Sequence, residues 1–466
     1  MKNDKFQRAF TNIDHKLIER AGKTPVRYTK SKLITIIAAV LSISLCIGLF
    51  TWVGNKKEIP SQPKWIDEGI AEDYSLIDTS KYLLLKAEYP QMAKYSDGYD
   101  VWAEGRKERT AYVGDRSYLD SFIKLSISEF LSGRGELNSV YSPLSVYFTL
   151  AMMAEFEEGD GREQIFSLLG VDSIEELRKN SYDIWNANYS DEGTVTRIIA
   201  SSLWYDDDMV VDEDKLKVLR DTYYSSVYNG DFASEDLELA FRAWLNENTG
   251  GLVDRLSDVS LDDNGKMVLA STVMFGARWM DEFMPKYNTE GIFHSPNGDI
   301  SCEFMNAEKT MEYYYGDKFS AITKEFDVSG KMWFILPDEN ISVEELLNNK
   351  EFLSFVIIDG EDWSKYKSGV KVNMSMPKFD IQSDMDLTEP LKSLGLTELS
   401  SDFSGCRHGA GISVDEEGVK ASAFTLSYYG AGVPEDEVDF ILDRPFVFII
   451  EGRDGLPLFV GVVNNP

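Results

Sequence analysis

Residues Leu33 to Val53 read LITIIAAVLSISLCIGLFTWV, a run of 21 residues without a charge. No other stretch restricts the chain so strongly, because about 20 apolar residues are what it takes to cross the hydrocarbon of a bilayer. Arg20, Lys23, Arg27, Lys30 and Lys32 precede the run, and Lys56 and Lys57 follow it. Positive charge collects on the cytoplasmic flank of a membrane helix, so the sequence predicts a cytoplasmic tail at 1–32, a transmembrane helix at 33–53 and an extracellular remainder. The alternative is a cleaved signal and a secreted product. The long basic lead and the lack of a small-x-small site before Gly54 weigh against it. Leu45, bulky and directly before Cys46, is wrong for a lipid-attachment box. Residues 54–75 carry Pro60, Pro63 and Gly69 without periodicity and read as an extracellular tether, leaving 76–466 for a folded domain.

Charge narrows the partners of that domain. Residues 1–57 hold 11 Lys and Arg against 3 Asp and Glu, so residues 58–466 carry a net charge of −40. Nucleic-acid phosphates would be repelled. Hydrophobic residues at 43% supply a sizeable core. With Cys302 and Cys406 the only cysteines after the apolar run, one disulfide at most is available.

Enzyme chemistry finds little support. His15, His294 and His408 are the only histidines, and no G-x-S-x-G, H-E-x-x-H, paired C-x-x-C or G-x-x-x-x-G-K-[ST] occurs. No metal or cofactor site is expected. SLDDNGK at 260–266 has the Asn-Gly of a calcium loop but puts Ser271 at the twelfth position, so it reads as a turn. The acidic residues Asp206–Asp208 and Asp212–Asp214 read as a solvated loop, with weak Ca²⁺ binding as the alternative.

Local patterns point to α+β architecture. Leu119, Phe122, Ile123, Ile127 and Phe130 share one face of a helix that Gly133 would stop. Ser142 can cap a helix that begins at Pro143 and runs through Leu150 and Met153. Strands are predicted at Trp333–Leu336, Val370–Met376, Pro445–Glu451 and Leu458–Val463. Helices lead and strands follow, without βαβ alternation.

A set of segments in fixed order carries a more specific signal: NSVYSPLSVYFTLAM (138–152), ASSLW (200–204), AWLNENTGGLVDRL (243–256), MVLASTVMFGARWMDEF (267–283), FILP (334–337), MPKFDI (376–381), LKSLGL (391–396), DFSG (402–405), VDEEGVKASA (414–423), DRPFVFII (443–450) and LFVGVVNNP (458–466). Over residues 115–466 the chain resembles the serpins. Its stretch Leu83–Arg109 is similar to serpins of Gram-positive gut bacteria. The resemblance implies three β-sheets, about eight or nine helices, an exposed reactive-centre loop and a monomer. It departs from the family at Ser271, where Asn is usual, and at Glu158–Gly161 and Arg162, where Gly-Ala and Thr are usual.

Glu416, Glu417 and Gly418 open the loop, which the resemblance reads as a hinge followed by an inserting strand. Val419, Ala421, Ala423, Thr425 and Ser427 would share one face of that strand. They are small or uncharged and suit burial. Lys420, Ser422, Phe424, Leu426 and Tyr428 fall on the other face. An ordinary edge strand with a turn at Gly430–Pro434 is the plainer alternative. The family's spacing from Gly418 places the scissile bond at Gly432–Val433, or at Ala431–Gly432 within one residue. Small residues there suit elastase-like or subtilisin-like serine proteases. Cleavage after Tyr429 would shorten the strand by roughly 10 Å.

The mechanism so implied is a suicide trap, in which loop insertion captures the acyl-enzyme of the target. Ser142, Ser145, Ser271 and His408 would form a polar cluster beneath the opening sheet, with Trp279 where the loop enters. A non-inhibitory serpin-fold surface protein is the alternative function.

Overall fold

Ser142 and Pro143 set the start of a central helix. The Ser142 hydroxyl oxygen accepts from the Ser145 N–H at 3.1 Å, and Pro143 takes the first helical position. The helix buries Leu144, Val146, Tyr147, Phe148, Leu150, Ala151, Met152 and Met153. Apolar on every side, it belongs in the interior.

The structure is a computed structural model that describes residues 77–249, 251, 261, 266–327, 330–357, 366–400, 406–419 and 436–466. All lie in one unit, Pro63–Pro466. The predicted tail, transmembrane helix and tether up to residue 75 lie outside the described residues, as does the loop segment 420–435. Among the described residues no helix is long and apolar enough to cross a membrane.

The chain opens with β1 (Leu83–Leu85), α1 (Tyr99–Glu108), α2 (Asp120–Leu131), β2 (Ser139–Tyr141), α3 (Pro143–Met153), α4 (Gly159–Leu169) and α5 (Ile174–Asn188). It continues through β3 (Ser190–Asp191), β4 (Val195–Asp206), α6 (Glu213–Thr222), β5 (Ser225–Gly230), α7 (Glu235–Thr249) and β6 (Met267–Arg278). Strands dominate thereafter: β7 (Thr289–Ser295), β8 (Gly298–Gly316), β9 (Phe319–Glu325), β10 (Lys331–Pro337), then the short helices α8 (Val343–Leu347) and α9 (Lys350–Val356). The last part holds β11 (Tyr366–Pro377), β12 (Phe379–Asp386), α10 (Thr388–Ser393), β13 (Arg407–Val414), β14 (Gly418–Val419), β15 (Glu437–Ile441), β16 (Phe446–Glu451) and β17 (Pro457–Val463). The four strands predicted from sequence correspond to β10, β11, β16 and β17, with β16 beginning at Phe446 and not at Pro445.

Among the described residues two sheets form, in the orders β1-β5-β4-β6-β14-β13-β12 and β15-β11-β8-β9-β10-β16-β17-β2, with β3 beside β4 and β7 beside β8. Both are mixed: β4 and β5 run parallel, as do β11 and β15. This corrects the expectation of three sheets. The 19-residue β8 pairs with β7 and β11 along most of its length and with β9 at its end, joining two sheets into one. The helix count is also higher than expected, ten α-helices among the described residues. The five-residue α8 and six-residue α10 are too short to show a helical period.

The first sheet is covered on both faces. Leu269, Val273, Phe275 and Ala277 of β6 join the main core with α3, while Val268 and Ala270 pack with Phe241 and Trp244 of α7. Trp204 of β4 stacks on Tyr228 of β5 at 4.0 Å beneath the same helix. The acidic stretch after β4 is an ion-pair site, for Lys266 binds Asp206 at 3.1 Å and Asp208 at 2.9 Å. Cys302 and Cys406 are free thiols.

Candidate functional site

The strands β6 and β13 are joined through β14. Gly418 pairs with Arg278 and Val419 with Ala277 on one side, while Val419 pairs with Val414 on the other. Among the described residues β6 and β13 form no ladder with each other. Two residues of the loop therefore occupy a strand position in the middle of the sheet. Val419 is 2% exposed and faces the main core with Val414, Ile412 and Ala410.

A tight turn brings the chain from β13 into β14. Asp415 accepts from the N–H groups of Glu417 at 2.9 Å and Gly418 at 3.2 Å, and its own N–H donates to the Gly418 carbonyl at 3.0 Å. Gly418 has φ +155°, and a Cβ there would stand 2.2 Å from the Ala277 carbonyl oxygen. Only glycine fits.

Trp279, at the end of β6, holds this turn. Its indole N–H donates to the Asp415 carbonyl at 3.0 Å and its backbone N–H to the Glu417 carbonyl at 3.0 Å. The ring is 1% exposed and stacks on Phe326 at 5.1 Å. Lys324 lies over Trp279 and Phe283 at 5.3 and 4.3 Å and donates to the Asp281 carbonyl. Burial pushes its pKa down to about 7. Glu416 is gripped by Lys378 and by the Asn288 amide, both at 2.7 Å. Burial opposes its charge, yet these bonds outweigh it and hold its pKa below the ordinary carboxylate value. Glu417 is exposed, with Arg278 at 4.0 Å.

Further along the gap, the first turn of α3 bridges both strands. The Ser142 N–H donates to His408 Nε2 on β13 at 3.0 Å, and the Ser145 hydroxyl donates to the Ser271 carbonyl on β6 at 2.5 Å. His408 is 6% exposed, and burial pushes its pKa down to about 4, so the ring is neutral with Nε2 as acceptor. Ser201 on β4, directly opposite Ser271, approaches its hydroxyl at 3.4 Å. Among the described hydrogen bonds none joins Ser271 to His408. A short side chain stands here where the family usually has Asn.

The predicted residues thus fall into two groups on one gap: Glu416, Glu417, Gly418, Val419 and Trp279 at its end, and Ser142, Ser145, Ser271 and His408 along it. Ala421, Ala423, Thr425, Ser427, Ala431, Gly432 and Val433 lie outside the described residues. Sequence reasoning missed Ser201, Lys378, Asn288, Asp415 and Lys324. Three of them stand inside quoted segments (ASSLW, MPKFDI, VDEEGVKASA), but their roles depend on strand register and turn geometry.

The gap between β6 and β13 in this mixed sheet thus holds the first two residues of the loop as a strand. The family model described as "Serpin (serine protease inhibitor)" matches residues 125–466. The chain belongs to the serpin family. It is 28% identical to Serpin-ZX of Arabidopsis thaliana, covering 71% of this chain and 92% of the relative. It is 26% identical to the leukocyte elastase inhibitor of Bos taurus, covering 71% and 93%. Among solved structures this serpin is similar to the thermophilic serpin tengpin in its native state, with TM-score 0.67, 26% identity and coverage of 84% and 99%. Serpins are generally protease inhibitors rather than enzymes.

Proposed function

We propose that this serpin inhibits serine proteases as a suicide substrate, with Gly432–Val433 as the reactive bond. The observation that carries the reading is the pairing of Gly418 and Val419 with β6 and of Val419 with β13 on the other edge. Continued in the same register, Ala421 would lie between Phe275 and Ile412, Ala423 between Val273 and Ala410, and Thr425 between Ser271 and His408. Each of those neighbours except Ser271 and His408 is apolar, and the incoming set is small enough to pass over α3. Thr425 would reach the polar cluster, where its hydroxyl can hydrogen-bond.

The target's serine would attack the Gly432 carbonyl, the peptide bond would break with the amine of Val433 leaving, and an ester would join Gly432 to the protease. Insertion of 420–432 would then carry the protease away before water hydrolyses the ester. Gly430, Ala431 and Gly432 suit a shallow specificity pocket, elastase-like or subtilisin-like, and the leukocyte elastase inhibitor among the relatives is consistent with that class. The protein would act as a monomer outside the cell, anchored through 33–53.

Incubation with an elastase-like and a subtilisin-like protease tests the reading. A complex that survives SDS, with release of a C-terminal peptide beginning at Val433, supports it; a peptide beginning at Gly432 supports it with the bond one residue earlier. Cleavage without any complex favours a non-inhibitory serpin, and a peptide beginning at Gly430 moves the site to Tyr429.

A further inference from the structure

Residues 279–283 grip the hinge turn, and the two ends of this segment are held in different ways. At the near end the backbone is bridged to the chain leaving β9. The Met280 N–H donates to the Glu325 carbonyl at 2.9 Å, and the Asp327 N–H to the Arg278 carbonyl at 2.9 Å. Among the described residues 281–283 make no backbone bond to β9. At this far end the Phe283 N–H donates to the Glu416 carbonyl at 3.0 Å, which ties it to the hinge turn.

Lys324, on β9, supplies the hold that the backbone lacks there. Its amine lies over the Phe283 ring at 4.3 Å and the Trp279 ring at 5.3 Å, and it donates to the Asp281 carbonyl. Both rings are buried. The face of an aromatic ring attracts a cation, and a neutral amine still donates to the carbonyl while its stem packs on the rings, so the hold survives in either charge state. The remaining side-chain contacts at the far end are ion pairs of exposed carboxylates, Asp281 with Lys309 and Glu282 with Arg278. Pairs of that kind contribute little.

We propose that Lys324 is a positioning residue for loop insertion, fixing residues 281–283 on the hinge turn and so keeping β14 seated as the start of the incoming strand. Phe283 holds the Glu416 carbonyl, and Trp279 holds the carbonyls of Asp415 and Glu417 on either side of it. A turn released at Glu416 is free to draw Gly418 and Val419 out from between β6 and β13. Insertion would then have to reseat those two residues before the strand could lengthen, while the ester to the protease stays open to water. The consequence for trapping rests on the inhibitory reading above; the hold on the hinge turn does not.

The test compares the wild-type chain with Lys324→Met, which keeps the stem and loses the amine, and Lys324→Arg, which keeps a cation and its donors. Hydrogen exchange of the intact protein without protease is read at the Phe283 and Val419 amides, with Phe448 and Ile449 of β16 as a remote reference. Losing one hydrogen bond and two ring contacts should speed exchange at Phe283 and Val419 about tenfold in Lys324→Met. Exchange in β16 should not change, and Lys324→Arg should restore protection. Should Lys324→Met lose protection in β16 too, Lys324→Gln, which keeps a donor but is shorter and uncharged, takes its place with the same expectation. With an elastase-like protease that wild type traps, the uncharged variant should be attacked at the wild-type rate, since the reactive bond lies far along the chain from the hinge. It should nevertheless yield more cleaved inhibitor per complex formed. Unchanged exchange at Phe283 and Val419 in a folded variant overturns the proposal, as does failure of Lys324→Arg to restore it, or faster exchange with an unchanged yield of complex. A wild type that traps no protease overturns the inhibitory reading instead, and the exchange result still decides whether Lys324 holds the turn.

Discussion

At His408 burial and one accepted hydrogen bond keep the ring neutral, with a folded pKa of about 4 against an ordinary 6.5. Between those values the unfolded chain takes up a proton that the native ring refuses. Stability from this residue is therefore complete above about pH 6.5 and is lost as pH falls toward 4, on the order of 3 kcal/mol in all. Gln at this position keeps an acceptor for the Ser142 N–H and removes the titration. Urea unfolding of wild type and His408→Gln between pH 4 and 7 should show the difference in stability shifting toward the variant as pH falls. Parallel profiles would contradict the assignment. Ala421→Arg tests the neighbouring claim about the inserting face. On the proposed register a guanidinium would be forced toward Phe275 and Ile412. An unpaired buried charge that raises the insertion barrier by about 3 kcal/mol slows insertion by a factor on the order of 100. Deacylation at the protease should hardly change, so the variant should be cleaved as a substrate with little stable complex. Lys420→Arg, one residue along, should inhibit as wild type does. Equal trapping by Ala421→Arg would contradict insertion.

The hinge turn and β14 act as an element, and Gly418 is where they are most easily broken. Gly418→Ala places a methyl group 2.2 Å from the Ala277 carbonyl oxygen at a φ that alanine rarely adopts, at a cost on the order of 2 kcal/mol. The melting temperature of the intact protein should fall and the Val419 amide should lose exchange protection. Unchanged values for both would contradict the seating of β14. This element also shows what could be read from sequence. The α3 start was legible because a serine cap and a first-position proline are local signals, and the glycine hinge at Gly418 was read through the family resemblance. Ser201 was not, because its place beside Ser271 follows from the β4–β6 register. Lys378 and Asn288 converge on Glu416 from distant strands and turns, and no spacing announces that. The merger of two expected sheets through β8 depends on one strand staying hydrogen-bonded over its whole length.

At the scale of the whole molecule, the proposed topology sets the acidic serpin domain outside the cell behind one membrane helix at 33–53. Protease added to intact cells should digest the chain beyond residue 54 and spare the tail before Leu33. A mature N-terminus beginning after residue 45 would instead identify the apolar run as a cleaved signal. The gap between β6 and β13 gives the central claim its thermodynamic consequence. In the intact protein two loop residues satisfy its end; after cleavage the freed strand could extend β14 along its length, adding ladder hydrogen bonds and burying the small face of the loop against α3. The most direct measurement is the melting temperature of the purified protein before and after cleavage at Gly432–Val433 by an elastase-like protease. Insertion requires the cleaved form to melt well above the intact form. A cleaved form that melts at or below the intact one would contradict it.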